Sequence, residues 1–291
     1  MPFTAKSGKF NASINTVEFG TGDKAVKIGG ENVFPLYSFD AAIENAPKVG
    51  IEITDFGMEH EPECIKKYYE GCATLADMAR KAASMEGVDF LSFRMEGGDP
   101  NGANKSTEEL IGELKEIADA VDLPLVVCGC KNVEKDAELF SKAAEALNGK
   151  NAVILSAKEE NYKTVGAAAG LAYKQIVGAE SAVDINLAKQ LNVLISQLGV
   201  DSKSVVMNVG SAAVGYGFEY VISTMDRVKA AALQQGDANL QMPIITPVAS
   251  EAWGVKEAMA SETDVPEWGS QEERGIDMEV ETAMAVIAAG S

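Results

Sequence analysis

The residues able to do chemistry are few, and the scarcest is histidine: His60 is the only one, within Met58-Glu59-His60-Glu61-Pro62-Glu63-Cys64. An imidazole, carboxylates and a thiol are transition-metal ligands, but here they stand in sequence rather than spaced to converge, and Pro62 disfavours a helical face that would gather them. The segment reads as a solvated acidic loop, with a metal site as the competing reading. A Ser-His-Asp or Cys-His nucleophile would need the same His60, so nucleophilic hydrolysis finds little support. Cys128-Gly129-Cys130 places two thiols where a strand would face them the same way, with Cys64 and Cys72 able to complete four. Iron–sulfur sites usually draw several ligands from one tight loop, so buried small side chains at a strand end are the preferred reading. Gly210-Ser-Ala-Ala-Val-Gly215-Tyr-Gly217 follows an apolar run and opens a helix, where backbone N–H groups hold anions. It has neither the Lys-Ser/Thr ending of a P-loop nor the spacing of a dinucleotide loop. Asp99 to Asn104 matches a calcium loop at its first and third positions only. Trp253 and Trp268 frame an acidic stretch, Glu251 to Glu273, and serve equally well as core or as partner contacts.

The elements that must position these residues follow from hydrophobic periodicity. From about residue 120, short apolar runs alternate with long amphipathic ones, the sequence form of repeated βα units. Leu125 to Cys128, Ala152 to Leu155, Ile176-Val177, Val205 to Met207 and Ile244-Ile245 read as strands. Asp136 to Asn148 reads as a helix stopped by Gly149, and Asp184 caps a helix carrying Leu187, Leu191, Ile195 and Leu198. Earlier, Val88 to Met95 reads as a strand, and Ser106-x-x-Glu109 as a capping box opening a further helix. Ile14 to Phe19 pairs with Ala25 to Gly29 as a hairpin. The parallel-strand anchors are Val26, Phe90, Leu125, Val153, Ile176, Val205 and Ile244, with Ile51 as an extra or alternative. A closed barrel needs about eight. The chain therefore reads as a TIM (β/α)8-type barrel that either stops short of its eighth strand or closes with Ile51. No linker or short repeat divides it, so residues 1–291 read as a single barrel domain, with about 1–24 as an N-terminal extension and hairpin.

Composition bounds the function classes. With 46% hydrophobic and 24% charged residues the chain can fold rather than remain disordered. A net charge of −19 repels phosphate backbones and anionic lipid, arguing against nucleic-acid and membrane-surface partners. The first twenty residues lack the apolar core of a secretory signal, no run is long enough to span a bilayer, and four cysteines are too sparse for a disulfide scaffold. A reducing cytoplasm is the expected setting.

On a barrel, the residues just past each strand form the functional face. Here they are small and polar: Arg94, Glu96 and Asp99; Lys131 and Asn132; Ser156, Glu159 and Asn161; Asp184 and Asn186; Asn208 and Ser211; Thr246, Ser250 and Glu251. Asp184-Ile-Asn-Leu-Ala-Lys-Gln-Leu-Asn192, Asn208-Val-Gly-Ser, Gly215-Tyr-Gly-Phe-Glu-Tyr220 with Met225-Asp-Arg227, and Pro243-Ile-Ile-Thr-Pro247 leading to Glu251-Ala-Trp253 together resemble the small subunit of the corrinoid iron–sulfur protein. Its archaeal counterpart is the acetyl-CoA decarbonylase/synthase delta subunit. The resemblance runs the whole length, with motifs in the same order. It implies a barrel related to methyltetrahydrofolate-dependent methyltransferases and a role as methyl carrier in the Wood–Ljungdahl pathway of acetyl-CoA synthesis. A cobamide would lie between this barrel and a large subunit that carries the 4Fe-4S cluster and most corrinoid contacts. The cobalt would accept a methyl group from methyltetrahydrofolate, through its methyltransferase, and pass it to CO dehydrogenase/acetyl-CoA synthase. That division implies no independent catalysis by this chain. The family continues into a last strand and helix, from which this sequence departs. Asn208, Ser211, Gly215, Tyr216, Thr246 and Glu251 are the residues expected to approach the corrinoid or the partner, because an amide-rimmed macrocycle needs a concave surface of small and polar groups. Two alternatives stand beside this: a barrel methyltransferase that binds a pterin itself through Asp184, Asn161 and Asn208, and a purely structural subunit.

Overall fold

The computed structural model describes residues 8–291. The start of the N-terminal extension, residues 1–7, on which part of the reading of no secretory signal falls, lies outside the described residues. The first element is an antiparallel pair, β1 (Val17–Phe19) and β2 (Val26–Ile28), with Val17 opposite Ile28 and Phe19 opposite Val26. Six strands follow in one parallel sheet, ordered along the chain: β3 (Gly50–Thr54), β4 (Phe90–Arg94), β5 (Leu125–Cys128), β6 (Val153–Ala157), β7 (Ile176–Glu180) and β8 (Val205–Asn208). A seventh position is held by a single parallel bridge from Met207 to Ile244. There Met207 N donates to the Pro243 carbonyl at 2.8 Å and Ile245 N to the Met207 carbonyl at 2.9 Å.

Helices lie on the outside. After β3 come α1 (Glu63–Tyr68) and α2 (Leu75–Ala83); after β4, α3 (Thr107–Ala120); after β5, α4 (Val133–Ala146). After β6, α5 (Tyr162–Val165) runs into a π-helix over Gly166–Ala172. After β7 comes α6 (Ile185–Gln197), and after β8, α7 (Phe218–Gln234). The last segment holds α8 (Ala249–Ala252), α9 (Lys256–Met259) and α10 (Gln271–Ala289). Their starts are set by side chains that satisfy otherwise unpaired N–H groups. Ser106 accepts from Glu109 N, Asp184 from Asn186 N and Leu187 N, and Ser270 from Glu273 N. α4 begins earlier than the expected Asp136, because Asn132 caps it by accepting from Lys135 N. α2, which the periodicity did not reveal, has a reciprocal capping box between Thr74 and Asp77.

The fold is thus a TIM-type parallel α/β barrel with an N-terminal hairpin, its sheet open between β3 and the Ile244 bridge. One strand expectation is corrected and its alternative holds. Val26 is not a parallel barrel strand; Ile51, the alternative anchor, belongs to β3, the first strand of the sheet, which does not close against the Ile244 bridge. The physical reason is burial. A parallel strand needs both faces covered, whereas β2 buries Val26 and turns Lys27 outward to Glu18, 3.3 Å away.

Alternation along the strands sorts the core into two parts. Leu91, Phe93, Val127, Ile154, Val177, Val205 and Met207 point outward and pack beneath the helices. Val126, Cys128, Val153, Leu155, Ile176 and Val206 point inward and form one cluster with Val17, Phe19 and Val26 of the hairpin. The hairpin therefore plugs the end of the barrel where the strands begin. Phe19 packs edge-on against Phe90 with centroids 5.6 Å apart, Gly20 N donates to the Asn151 carbonyl at 2.7 Å, and Asn151 Nδ2 donates to the Glu18 carbonyl at 2.9 Å. With that end closed, chemistry is left to the C-terminal mouth and to the open side.

Candidate functional site

The open side is a cavity of about 1080 Å³. It runs the height of the barrel, from Phe19 and Ile28 at the plugged end to Glu96 and Lys131 at the mouth, between β3 and the Pro243–Thr246 segment. One face of α10, including Ile276, Ala283 and Ile287, forms its outer wall.

Inside the barrel near the mouth sits a buried ion pair. Arg94 Nε donates to Glu52 Oε1 and its Nη2 to Glu52 Oε2, both at 2.9 Å, with the two side chains only 7% and 10% exposed. Ser92 Oγ donates to Glu52 Oε2 at 3.3 Å and lies 3.5 Å from Cys128 Sγ. Burial pushes the Cys128 thiol up to about 11, against the opposing pull of Arg94. Burial, reinforced by the Asp136 carboxylate, takes Cys130 to about 12. Cys130 N and Sγ both reach Asp136 Oδ1, at 2.7 and 3.3 Å, and burial raises Asp136 in turn. Both thiols are buried and free, while Cys64 and Cys72 lie half-buried near α1. His60 is exposed, edge-on to Phe56 at 4.7 Å, on the cavity lip. Among the described residues no three His, Cys, Asp or Glu side chains converge as a metal site.

The six residues expected at the corrinoid or partner surface fall into three groups. Asn208 is buried at the end of β8, where its Nδ2 donates to Ser156 Oγ at 3.0 Å and its Oδ1 accepts from Gly210 N at 3.1 Å. Ser211, Gly215 and Tyr216 share the loop between β8 and α7. That loop is shaped by Gly210, Gly215 and Gly217, all at positive φ, and held against α10 by a Val214 N to Thr282 Oγ1 bond of 3.3 Å. Ser211 Oγ is buried without a hydrogen-bond partner, and open space surrounds Gly215. The Tyr216 ring is 51% exposed, and its hydroxyl donates to Glu257 Oε2 at 2.5 Å. Thr246 lines the cavity and meets Ser291 Oγ at 2.8 Å, while Glu251 accepts from Lys131 Nζ at 2.9 Å across the mouth. Only Thr246 of the six faces the cavity. The three residues of the pterin alternative are internally engaged: Asp184 caps α6, Asn161 bonds Lys158 N and the Val133 carbonyl, and Asn208 is tied as above.

Both tryptophans tie the Glu251 to Glu273 stretch to α10. Trp253 Nε1 donates to Glu279 Oε2 at 2.7 Å, with its ring laid on Gly275. Trp268 stacks under Lys256 and Arg274, 5.3 and 5.6 Å from the ring centroid. The residues that sequence reasoning missed are Glu52 and Arg94 as a pair. Glu52 and Arg94 stand 42 residues apart, and only the parallel register of β3 with β4 brings them together. Their signal was a charged residue inside each of two otherwise apolar runs.

The geometry defines a class first: an open TIM-type barrel with a plugged base and a small-residue, polar mouth. Residues 16–280 match the family described as CO dehydrogenase/acetyl-CoA synthase delta subunit, and the chain belongs to that family. It is 31% identical over 279 residues to the acetyl-CoA decarbonylase/synthase complex subunit delta of Archaeoglobus fulgidus, covering 93% of this chain and 60% of that protein. The corresponding subunit of Methanocaldococcus jannaschii is 31% identical, over 97% of this chain and 70% of its own length. The chain spans about three fifths of the length of the Archaeoglobus relative. Among solved structures, Xanthomonas albilineans dihydropteroate synthase with 4-aminobenzoic acid is similar at a TM-score of 0.49 and 14% identity, covering 84% of this chain and 86% of that one.

Proposed function

We propose that this chain is the barrel subunit of a corrinoid iron–sulfur methyl carrier within an acetyl-CoA decarbonylase/synthase-type complex, and that it caps a cobamide shared with a large subunit. The observation that carries this reading is the family match over residues 16–280, which spans the barrel and both loops bearing the candidate residues. When bound, the cobamide supplies the cobalt that takes up and releases the methyl group. The 4Fe-4S cluster belongs, on this reading, to the large subunit. Methyltetrahydrofolate methyltransferase and CO dehydrogenase/acetyl-CoA synthase are its donor and acceptor partners in the cytoplasm of an anaerobe, on the Wood–Ljungdahl pathway.

The residues present suit such a group. A macrocycle rimmed with amides needs a shallow surface where backbone comes close and hydroxyls are free. The β8–α7 loop offers open space at Gly215, the unpartnered Ser211 hydroxyl and the exposed Tyr216 ring. In this role Tyr216 covers an edge of the ring system, Asn208 holds the loop's shape by accepting from Gly210 N, and Thr246 and Glu251 form the far rim. Glu251 is held there by Lys131. The chain's own part is to bind, orient and exclude water, with no catalytic side chain, as one domain over residues 1–291. No described helix is long and apolar enough to cross a membrane.

The test is anaerobic purification from native cells with whatever co-purifies, recording mass, stoichiometry, cobalt content and visible spectrum together. A one-to-one complex with cobalt and corrinoid absorption is expected; a colourless homo-oligomer would sink the reading. Tyr216→Ala, at an exposed position, should lower cobalt retention by about tenfold at unchanged stability. Unchanged cobalt content would remove Tyr216 from the site.

A further inference from the structure

Among the described residues, six buried side-chain polar atoms have no hydrogen-bond partner: Glu113 Oε2, Ser181 Oγ, Asn192 Oδ1, Ser211 Oγ, Ser250 Oγ and Arg274 Nε. Three of them belong to side chains that bond through another atom. Glu113 Oε1 accepts from Lys105 Nζ, Asn192 Nδ2 donates to the Asn239 carbonyl, and the Arg274 Nη atoms donate to the Glu257 and Ala260 carbonyls. Ser250 lines the open side of the barrel. Ser181 and Ser211 remain, and neither lines that cavity. The hydroxyl is the only polar group on each side chain, so each side chain is wholly unpaired. Buried hydroxyls in that state cost stability and are few in native chains.

The two serines stand in adjoining loops at the mouth, Ser181 directly after β7 and Ser211 soon after β8. The loops run together as one seam. Ser181 N donates to the Asn208 carbonyl at 3.0 Å and Val183 N to the Val209 carbonyl at 2.7 Å, and a Cβ at Gly210 would lie 3.1 Å from Val183 Cγ2. Backbone strain falls on the same seam: Ala182 and Val183 hold φ at 43° and 66°, which a β-branched residue adopts only at a cost. Strain of this kind collects at ligand-binding loops.

We propose that Ser181 joins Ser211 as a direct ligand contact, the two hydroxyls together binding a carboxamide on the periphery of the cobamide. A hydroxyl both donates and accepts, as does a primary amide, so the pair matches the amide's C=O and NH2 together. A neutral amide also suits a chain of net charge −19, which repels a carboxylate or phosphate. Each oxygen reaches the mouth by a turn about χ1 from one staggered well to another, with the backbone bonds of the seam kept. The inference rests on the cobamide-capping reading, and extends the contact surface from the β8–α7 loop to the β7–α6 loop.

The experiment uses Ser181→Ala, Ser211→Ala and the double variant, read in two ways. In the isolated full chain, removing unpaired buried hydroxyls should raise Tm by roughly 2–4 °C for the double variant in scanning calorimetry. In the complex purified anaerobically from native cells, the same variant should release its cobamide about tenfold faster, followed by cobalt content and corrinoid absorption during dialysis. A purely structural role gives the opposite sign in the first measurement, because a serine bonded within the chain or to an internal water loses stability on truncation. A lower Tm therefore overturns the proposal. Release at the wild-type rate from the double variant overturns the contact while leaving the functional reading intact. A Ser181→Ala variant that releases normally while Ser211→Ala does not removes Ser181 from the site. A wild-type complex without cobalt overturns the functional reading and this inference together.

Discussion

At the scale of single residues, the barrel interior carries one charged pair that costs more to break than to lack. Arg94→Ala would leave the Glu52 carboxylate buried and uncompensated, so a loss of about 3–5 kcal/mol is expected, read as a lower urea midpoint at constant m. Replacing both partners with apolar groups of similar volume should cost far less; an equal loss would show that the pair itself is net stabilising. The cysteines predict a pH response. Burial raises Cys128 to about 11 and Cys130 to about 12, so between pH 9 and those values the native state holds protons that the unfolded chain has released. Stability should therefore fall as pH rises above about 9, with a slope of up to about 1.4 kcal/mol per pH unit for each thiol. A Cys128→Ala, Cys130→Ala double variant should flatten that slope in urea titrations at pH 8 to 11; an unchanged slope would mean other groups carry it.

At the scale of elements, the hairpin and α10 are each seated by an aromatic ring, Phe19 and Trp253. Phe19 is fully buried between the hairpin and the barrel strands, so Phe19→Ala should cost about 3–5 kcal/mol. Exchange should accelerate first at β1, β2 and the starts of β4 and β6, measured by hydrogen exchange; uniform acceleration would count against a separable plug. A Cβ at Gly275 would lie 2.2 Å from the Trp253 ring. Gly275→Ala should displace that ring, shift its fluorescence and cost about 1–3 kcal/mol; an unaltered spectrum would show the ring moves freely. These elements differ in how openly the sequence announces them. β5 to β8 are legible because all but Glu180 of their residues are buried, which leaves unbroken apolar runs. β3 stands out less, only as an alternative to Val26, because Glu52 and Thr54 interrupt its apolar pattern, and the reason for Glu52, its bond to Arg94, lies in another strand. α1 has no buried residue and α2 is short, so neither produced a clear period.

At the scale of the whole molecule, the net charge of −19 means that self-repulsion opposes compactness. Raising salt from 0.01 to 0.3 M should stabilise the isolated chain by about 1 kcal/mol, a rise in Tm of roughly 2 °C. A fall in scanning calorimetry would mean that local ion pairs such as Lys105–Asp55, 3.0 Å apart with Asp55 fully buried, outweigh the global field. The mouth residues were legible as types, since polar groups after each strand follow from barrel topology. Their dispersal was not: Asn208 is spoken for by Ser156, 52 residues away, and the cavity exists only because two distant edges fail to meet. The plugged base has a consequence for the order of assembly. Val17, Phe19 and Val26 leave the ribosome well ahead of their partners Val126, Val153, Ile176 and Val206, which emerge up to about 190 residues later. At synthesis rates of about 5–20 residues per second, that is on the order of ten seconds or more during which the apolar hairpin waits unburied. The hairpin is made well before the strands it packs against, and a nascent chain of this design needs it kept from other surfaces until the barrel arrives to receive it.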